Sequence, residues 1–414
     1  MAFASTLEGW NIRSLDELQL GNKRVLIRVD FNVPLDAAGH VADDARIVAA
    51  LPTIRAVQAA GGRVVLASHL GRPKGKVDPK FSLEPVAGRL AELLDQEVLL
   101  PDDCIGDAAE HLVANQRAGQ IVLLENLRFH AAETANSEDF ARKLADLCDV
   151  FISDAFGAMH REHASVSALP RIVPDRAAGL LVEREIAFLS KLTGGAESPY
   201  VAILGGAKIS DKIEVLERLL GVVDGLIIGG AMANTFLAAQ GHAMGKSLVE
   251  SDKAQLARHL LARCEERGIR VWLPVDHVVA GEASADAATA VVPVGAVGES
   301  QMALDIGPAS VALFTAVLDG SAGNGWTAPK TVFWNGPMGL FEVEPFAAGT
   351  MALARAVARA PATSVIGGGD SAAAARKAGV TSMISHISTG GGASLEFLGG
   401  RMLPGLVALR GGRR

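Results

Sequence analysis

The sequence predicts an α/β fold with two doubly wound parallel-sheet, Rossmann-like domains, joined by a hinge helix with a cleft between them. Short apolar runs alternate with alanine- and leucine-rich stretches along the 414 residues. The apolar runs are continuous, as is typical of parallel strands that helices cover on both faces. The chain is too long for one ordinary core, so two domains of roughly 200 residues each are expected.

Strands and helices are predicted to alternate from one end of the chain to the other. The strand-length apolar runs lie at 25–29, 64–67, 121–124, 150–153, 201–204, 226–228, 271–274, 331–334 and 364–366. Helical spacing of apolar residues predicts helices over 45–60, 83–94, 137–147, 211–220, 252–267 and 347–359. In parallel sheets ligands bind beyond the carboxyl ends of the strands, so the residues that follow the strands are the candidate functional ones.

The domain boundary is expected at a helical stretch over 180–192, because Gly194, Gly195 and Pro199 follow it before the next strand. We therefore predict an N-terminal domain over 1–179, an interdomain helix and linker over 180–195, and a C-terminal domain over 196–395. The Gly-, Ala- and Ser-rich segment 318–329 is expected to be an exposed loop.

Composition limits the partners and the compartment. The net charge of −7 argues against a general nucleic-acid or anionic-membrane surface. Cys104, Cys148 and Cys264 are odd in number and widely spaced, which favours free thiols in a reducing compartment. Glu8 and Asn11 stand where a signal peptide needs an apolar core, and no apolar run approaches the roughly 18 to 20 residues of a membrane span. We expect a cytoplasmic protein.

Glycine-rich turns follow apolar runs in the second half: LGGAKISDK from Leu204, IGGGDS from Ile366 and STGGGAS from Ser388. In IGGGDS, Asp370 or Ser371 is expected to cap a helix whose N-terminus offers unpaired N–H groups and a positive partial charge to an anion. Asp370 could also hold a metal. Glycines also serve simply to pack helices on strands, so one turn is weak evidence, but successive turns favour a phosphate site.

Two lysines and a glutamate extend this pattern. Lys208 and Lys212 are four residues apart near a predicted helix start, so both could face one side and reach phosphate, although a solvated helix face is the alternative. In WNGPMGLFE, Glu342 suits a ribose hydroxyl. GHAMGKS from Gly241 resembles a phosphate loop but has three rather than four residues between its glycines, and no GxGxxG fingerprint is present, which disfavours a dehydrogenase.

Cationic and polar side chains follow the strands of the first half. The residues in these positions are Asp30, Asn32, His69, Arg72, Arg128 and Arg161, with Arg46 at the start of a helix. A single surface arginine is usually only solvated, but their joint occurrence at strand ends favours an anion site. His130, His160 and His163 are expected to be packing or hydrogen-bonding supports. One phosphate-holding set in each half would present two phosphorylated molecules to each other, as a kinase does.

The combination resembles the phosphoglycerate kinase family over essentially the whole chain. RVDFNVPL, SHLGRP, ENLRFH, LGGAKISDKI, WNGPMGLFE, GGGDS and STGGGASLE occur in the family's order. The resemblance implies reversible phosphoryl transfer between 1,3-bisphosphoglycerate and ADP, giving 3-phosphoglycerate and ATP. It also implies a monomer, Mg²⁺ bound with the nucleotide, and a C-terminal tail, from about 396 to 414, that returns to the N-terminal domain.

The resemblance assigns site residues in both halves. The implied phosphoglycerate-binding residues are Asp30, Asn32, Arg46, His69, Leu70, Gly71, Arg72, Arg128 and Arg161. The implied nucleotide-binding residues are Gly206, Lys208, Lys212, Gly230, Asn335, Glu342, Gly368, Gly369, Asp370 and Ser371, with Asp370 also as the magnesium ligand. Arg46, Lys208, Gly391 and Gly392 are the implied catalytic residues.

Some positions depart from the family pattern. Ala231 stands where many members have glycine, beside the expected adenine pocket, and Ala158, Met159 and Glu162 are also unusual. The glycine-rich loop around Gly323 is longer than usual. No charged motif residue is missing, which disfavours a scaffold that kept the fold without the chemistry. A phosphotransferase that acts on another carboxylate or hydroxyl substrate is the other alternative.

Overall fold

The computed structural model describes residues 4–117 and 119–412, which form two compact units. The first unit runs to Ala187 and resumes at Met402, and the second unit is Phe188–Arg401. The C-terminal segment from Met402 therefore belongs to the first unit. Just before it, Arg401 forms an ion pair of 2.5 Å with Glu214 of the second unit. Positions 1–3 and 413–414 of the expected N-terminal domain and tail lie outside the described residues.

The first unit is built on a six-stranded parallel sheet. In chain order its elements are α1 (Ala4–Trp10), β1 (Arg24–Val29), α2 (Ala45–Ala59), β2 (Arg63–Ala67), α3 (Glu84–Leu94), β3 (Val98–Leu99), α4 (Asp107–Ala114), β4 (Ile121–Leu123), α5 (Ala131–Thr134), α6 (Glu138–Ala145), β5 (Val150–Asp154), α7 (Leu169–Ile172) and β6 (Arg176–Ala178). The next helix, α8 (Leu180–Gly194), contains the boundary between the units, after Ala187. The strand order is β3-β4-β2-β1-β5-β6. Every pairing is parallel.

The second unit contains a parallel sheet of the same size and a smaller antiparallel one. Its elements are β7 (Tyr200–Leu204), α9 (Ile213–Leu219), β8 (Gly225–Ile228), α10 (Gly230–Ala239), α11 (Ala254–Glu266), β9 (Arg270–Trp272), β10 (Asp276–Ala280), β11 (Ala290–Pro293), β12 (Met302–Ile306), α12 (Pro308–Asp319), β13 (Thr331–Asn335), α13 (Ala348–Arg359), β14 (Thr363–Gly367), α14 (Gly369–Lys377), β15 (His386–Ile387) and α15 (Gly392–Leu398). The parallel order is β15-β14-β13-β7-β8-β9. A last helix, α16 (Pro404–Leu409), belongs to the first unit.

All nine predicted strands are present within a residue or two, because the central strands are covered on both faces. In β1, every residue from Val25 to Val29 is buried, and the same holds throughout β7 and β13. Continuous apolar runs follow directly from that double covering. Parallel pairing brings the carboxyl ends of these strands to one edge of each sheet, where the residues after the strands can act together.

Between α11 and α12 four strands follow one another without a helix. The strands β10, β11 and β12 form an antiparallel sheet in the order β11-β10-β12, which the sequence did not predict. Three of the four residues of β11 are exposed, although its sequence, AVVP, is apolar. The sheet instead buries Val279 in a small cluster with Leu237 of α10, Met244 and Val297.

The predicted exposed loop over 318–329 is only partly a loop. Leu318 lies in α12 and is buried, and Trp326 packs into the core of the second unit. The Trp326 indole N–H donates a 2.9 Å hydrogen bond to the Val317 carbonyl, and its ring contacts Trp272 edge-on at 4.8 Å. A buried aromatic anchor within a Gly- and Ser-rich segment explains why composition alone was misleading. Within the described ranges, none of the helices combines the length and apolar content needed to cross a bilayer.

Candidate functional site

Asp30 and Arg46 form an ion pair at the carboxyl edge of the first sheet. The chain leaves β1 at Val29, and Asp30 Oδ2 accepts a 2.8 Å hydrogen bond from Arg46 Nη1 at the start of α2. The Arg46 side chain is 39% exposed, so donors that Asp30 does not use remain open to an anion. Asp30 Oδ1 is buried without a hydrogen-bond partner among the described residues. Asp30 thus orients Arg46 without covering it.

The backbone of Gly71 ties three of the predicted loops together. Asn32 Oδ1 accepts the Gly71 N–H at 2.8 Å, and Arg128 Nη1 donates to the Gly71 carbonyl at 2.8 Å. Gly71 has a φ of 61°, and a Cβ here would lie 2.3 Å from the Phe81 ring. Only glycine fits this position, while the preceding Leu70 is buried in the core. The arrangement fixes the loop that also carries Arg72, whose side chain is exposed.

Positive charges are concentrated around this loop, and they shift each other's pKa values. Burial, then the charges of Arg161 and Arg28, lower the pKa of Arg128 to about 10. Burial and the same kind of neighbours lower the pKa of His163 to about 4, and that of His69 well below its ordinary value. Both histidines are therefore neutral at pH 7. A region where cations crowd each other in this way is suited to a multiply charged anion.

Sequence reasoning missed the buried support of this cation cluster. Arg28 lies inside β1 and is 1% exposed; its Nε donates to Ser165 Oγ at 2.8 Å and its Nη2 lies 3.1 Å from His69 Nδ1. Ser165 Oγ in turn donates to Glu133 at 2.6 Å, and Glu133 is fully buried. Arg28 lies within the apolar run 25–29, and a charged residue in such a run was a usable signal. Glu133 and Ser165 gave none, because they lie in a four-residue helix and a π-turn.

In the second unit, glycine turns rather than arginines meet at the sheet edge. Gly206 follows β7 with a φ of 100°, and Gly230 begins α10 with a φ of 64°. A Cβ on Gly230 would lie 2.6 Å from the Gly206 nitrogen. At the ends of the next two strands, Asn335 Nδ2 donates to the Gly367 carbonyl at 2.8 Å, and Ser371 Oγ accepts the Gly336 N–H at 2.5 Å. These contacts hold the turns against each other.

Lys212 and Lys208 line one cavity but differ in burial. α9 begins at Ile213, Lys212 ends a short 3-10 turn, and Lys208 precedes that turn. Lys212 Nζ donates to the Gly205 carbonyl and, at 3.2 Å, to the Asn335 carbonyl. Burial lowers the pKa of Lys212 to about 8. Lys208 is exposed.

Two adjoining cavities collect the predicted residues of the second unit. One, of about 380 Å³, is lined by Gly206, Lys208, Lys212, Asn335, Gly368, Gly369, Asp370, Ser371, Gly391 and Gly392. The other, of about 330 Å³, has a mainly apolar lining that includes Gly230, Ala231, Leu248, His277 and Glu342, and it shares Gly206 and Asp370 with the first. His277 was not singled out in the sequence, which gave no signal for it.

The larger cavity has the properties of a phosphate site. α14 begins beside it, with Gly368 as N-cap at a φ of 89°, so unpaired N–H groups and the positive end of a nine-residue helix lie at its wall. Gly391, with a φ of 53°, brings a second glycine backbone to the same wall. The apolar character of the neighbouring cavity suits a flat heterocycle, with Glu342 as its polar group.

Comparison with known proteins agrees with this geometry. The family model described as phosphoglycerate kinase matches residues 15–401. Proteins named phosphoglycerate kinase from Anaeromyxobacter sp. (strain Fw109-5) and Chlorobium phaeobacteroides (strain BS1) are 54% and 53% identical, covering 97% and 96% of this chain and 100% and 99% of their own lengths.

Solved structures give the same answer for the fold. The structure of phosphoglycerate kinase from Coxiella burnetii has a TM-score of 0.84 at 41% identity, covering 96% of this chain and 98% of its own. That from Pyrococcus horikoshii OT3 has a TM-score of 0.80 at 34% identity, with the same coverage. Two parallel six-stranded sheets, motifs at their carboxyl edges and full-length matches agree, and the chain belongs to the phosphoglycerate kinase family.

Proposed function

We propose that the chain catalyses reversible phosphoryl transfer between the acyl phosphate of 1,3-bisphosphoglycerate and ADP, giving 3-phosphoglycerate and ATP. It is a kinase that uses a nucleotide and a carboxyl acceptor. The observation that carries this assignment is that one unit holds a cation cluster around Asp30 and Arg46 and the other unit holds a glycine-lined cavity around Lys212. The family membership supports it over the whole matched length.

The phosphorylated three-carbon substrate is proposed to bind at the cation cluster of the first unit. Arg46 and Arg72 have half-exposed and exposed side chains, and Arg161 is half-buried and close enough to Arg128 to lower its pKa. Arginine forks match the geometry of phosphate and carboxylate oxygens, which makes this set suitable for an anion with charge at both ends. Asn32, His69, Leu70, Gly71 and Arg128 complete the proposed substrate residues.

The nucleotide is proposed to span the two adjoining cavities of the second unit. Its phosphates would lie against Gly368, Gly369 and Ser371 at the start of α14, beside Lys212. Its base and ribose would enter the apolar cavity near Gly230 and Glu342. The remaining proposed nucleotide residues are Gly206, Lys208 and Asn335.

The residues present fit a magnesium ion that travels with the nucleotide. Asp370 is exposed at the first turn of α14 and lines the proposed phosphate cavity. Mg²⁺ commonly binds through one or two carboxylates together with substrate phosphates. When bound, the ion would neutralise phosphate charge, and Asp370 is the residue proposed to hold it.

The chemistry requires no general base from the protein. In the ATP-consuming direction the nucleophile is the carboxylate of 3-phosphoglycerate, whose pKa near roughly 3.5 leaves it ionised at neutral pH. Its oxygen forms the new P–O bond while the bond to the leaving ADP oxygen breaks. The protein's tasks are positioning and charge stabilisation. We assign stabilisation to Arg46, Lys208, Gly391 and Gly392.

The decisive experiment is a coupled assay with ATP, Mg²⁺ and 3-phosphoglycerate on the purified full chain. We expect turnover that requires all three components and falls to background when 3-phosphoglycerate is replaced by an unphosphorylated hydroxy acid. Turnover with the unphosphorylated acid would favour another phosphotransferase. Absence of turnover above background, in protein with a cooperative unfolding transition, would overturn the proposed function and favour the scaffold alternative.

Hinge closure between the two domains remains a prediction. Small-angle scattering with both substrates bound should give a smaller radius of gyration than the free chain, and an unchanged radius would contradict it. We also propose a cytoplasmic monomer that acts on small molecules, without nucleic-acid or membrane partners. The three cysteines are free and buried, which fits a reducing compartment. Sedimentation equilibrium would test the monomer.

A further inference from the structure

Three side chains of different chemistry converge in the first unit, apart from every residue assigned to substrate above. Asp103 and Cys104 lie between β3 and α4, and His130 directly precedes α5. One carboxylate oxygen of Asp103, Cys104 Sγ and a His130 ring nitrogen all lie within 4.8 Å of one another. Among the described residues this is the one such group of three or more potential ligands.

The Asp103 carboxylate contacts both of the other residues. The Asp103 carboxylate lies 2.6 Å from His130 Nε2 and also accepts the Cys104 backbone N–H at 2.6 Å. The Cys104 side chain is completely buried, and burial together with the charge of Asp103 raises the pKa of its thiol well above the ordinary value. The site therefore holds a protonated thiol and an imidazole around a carboxylate.

We propose that Asp103, Cys104 and His130 bind one Zn²⁺ ion, with water as the fourth ligand. Sulfur, imidazole nitrogen and carboxylate oxygen are the three ligand types that zinc uses in proteins, whereas Mg²⁺ prefers oxygen alone. The set rests on no part of the proposed kinase function, and none of its members is assigned to that chemistry.

The geometry requires only a small adjustment. Ligands at about 2.0 to 2.3 Å in a tetrahedral arrangement are separated by roughly 3.3 to 3.8 Å. The His130 and Asp103 atoms must therefore move apart from 2.6 Å, and the widest pair must approach from at most 4.8 Å. The Phe140 ring packs against the His130 imidazole at 5.2 Å and limits its rotation.

One edge of the triad is accessible to water. The side chains of Asp103 and His130 are 45% and 30% exposed, while Cys104 lies on the protein side. An ion can therefore enter past the carboxylate and imidazole and keep a water on the exposed side. Three protein ligands with one open position is the arrangement of an exchangeable zinc site rather than of a closed structural one.

Binding has a defined proton balance. The Cys104 S–H bond breaks as the Zn–S bond forms, and the proton leaves to solvent. In the metal-free protein His130 Nε2 donates its proton to the Asp103 carboxylate, which can only accept. As the Zn–N bond forms, the Nε2–H proton leaves to solvent and Nδ1 of the neutral imidazole takes one up, while Asp103 binds as the ionised carboxylate. With a neutral imidazole, one proton is therefore released per ion, so affinity rises with pH until the thiol would ionise without metal.

Cobalt titration of the chelator-treated full chain tests the proposal, because Co²⁺ takes zinc sites and a cobalt–thiolate bond absorbs in the near ultraviolet. The variants are Cys104→Ser and His130→Gln, with Cys148→Ser as the matched control. Cys148 is likewise a buried free cysteine of the first unit. Calorimetry with Zn²⁺ in two buffers of different ionisation enthalpy counts the released protons.

We expect a thiolate band that saturates at one Co²⁺ per chain, disappears on adding Zn²⁺, is absent from Cys104→Ser and is unchanged in Cys148→Ser. Zinc affinity should fall at least about tenfold in His130→Gln, which removes one ligand from a partly exposed position and leaves the thiol in place. Absence of the band, or a band that survives in Cys104→Ser, would overturn the proposal and leave a purely hydrogen-bonded triad. If Cys104→Ser does not fold, unchanged zinc affinity in His130→Gln overturns it equally.

Discussion

The cation cluster of the first unit and the glycine cavity of the second obtain positive potential from different sources. In the cluster, charge comes from arginine side chains that stay protonated, and even Arg128, whose pKa is lowered by burial and by neighbouring arginines, has a pKa of about 10. In the cavity, it comes from backbone N–H groups at the start of α14 and from Lys212, whose pKa is about 8. We call these two sources of positive potential the two devices. The device of the cluster depends on which side chains are present, whereas the backbone part of the cavity depends on glycines, which have no side chain.

The two devices therefore need different support. Crowded arginines require a buried counter-charge, and the first unit supplies Glu133, which is fully buried and hydrogen-bonded to Ser165 beside Arg28. Glycine turns need only that neighbouring backbone stays close. Gly206 and Gly230 meet at a distance that a Cβ would violate. Substitutions should accordingly act through lost charge in one unit and through steric conflict in the other.

The largest expected effect is on catalysis, from Arg46→Ala. Arg46 is oriented by Asp30 and keeps donors free for charge that develops during transfer. Removing one such preorganised donor costs about 10² to 10³ in kcat. We expect kcat to fall by this factor while both KM values change by much less, because the contact forms chiefly in the transition state. Steady-state kinetics in both directions measures this.

Arg89→Ala is the matched control for that prediction. Arg89 is also a half-exposed arginine of the first unit, ion-paired with Asp44 and Glu92, but it belongs to α3 and to no proposed site. Its removal should leave kcat unchanged. A near-normal kcat in Arg46→Ala, or an equal loss in both variants, would remove Arg46 from the chemistry and weaken the distinction between the two devices.

The next largest effect concerns the close approach of backbone at the glycine turns, and it is measured as the free energy of unfolding. A Cβ at Gly230 would lie 2.6 to 2.8 Å from the Gly206 backbone and the Pro337 carbonyl, and its φ of 64° disfavours an L side chain. We expect Gly230→Ala to lower the free energy of unfolding by about 1 to 3 kcal/mol. Denaturant unfolding followed by circular dichroism measures it.

Gly369→Ala provides the contrast in the adjoining cavity. Nothing lies within 4 Å of a Cβ placed there, so unfolding stability should change by less than about 0.5 kcal/mol. Equal losses in the two alanine variants would show that helix propensity and not close backbone approach governs these turns. The idea of a site defined by missing side chains would then fail at Gly230.

These local reasons also explain what could be predicted from sequence. The apolar runs identified both parallel sheets, because their central strands are buried on both faces and the pattern needs no knowledge of partners. Lys212, Asn335 and the residues from Gly368 to Ser371 line one cavity because parallel strands deliver them to one edge. The sequence motifs identify these residues, and the topology of the sheet brings them close together.

What sequence could not give depends on contacts between distant segments. The antiparallel sheet was not predicted: the apolar residues of β11, AVVP, are mostly exposed and pair with β10, so they do not follow the rule that an apolar run is a strand covered on both faces. Glu133 could not be singled out from the sequence, because its role depends on hydrogen bonds with Ser165, which lies in a distant π-turn. Lys208 and Lys212 both line one cavity, but the difference in their burial could not be predicted because both precede α9, which starts at Ile213. Patterns within a segment are readable, whereas short turns that set side-chain direction are not.

The smallest expected effect is a difference between the two sites in how ligand affinity depends on pH. Lys212 has a pKa of about 8 in the free protein because burial disfavours its charge, so it is charged below pH 8 and loses its proton as the pH rises through 8. Nucleotide phosphates, whose last ionisation lies near about 6, bind the charged form better. Nucleotide affinity should therefore be constant below pH 8 and fall above it by at most about tenfold per pH unit. Affinity for 3-phosphoglycerate should stay level to about pH 9, because its proposed arginine ligands remain charged.

Calorimetric titrations of each ligand from pH 6.5 to 9.5 measure the two affinities. In the variant Lys212→Arg the pH profile of nucleotide affinity should flatten. If both ligands lose affinity together, a change common to both units would explain it, and the contrast between fixed and titrating charge would be wrong.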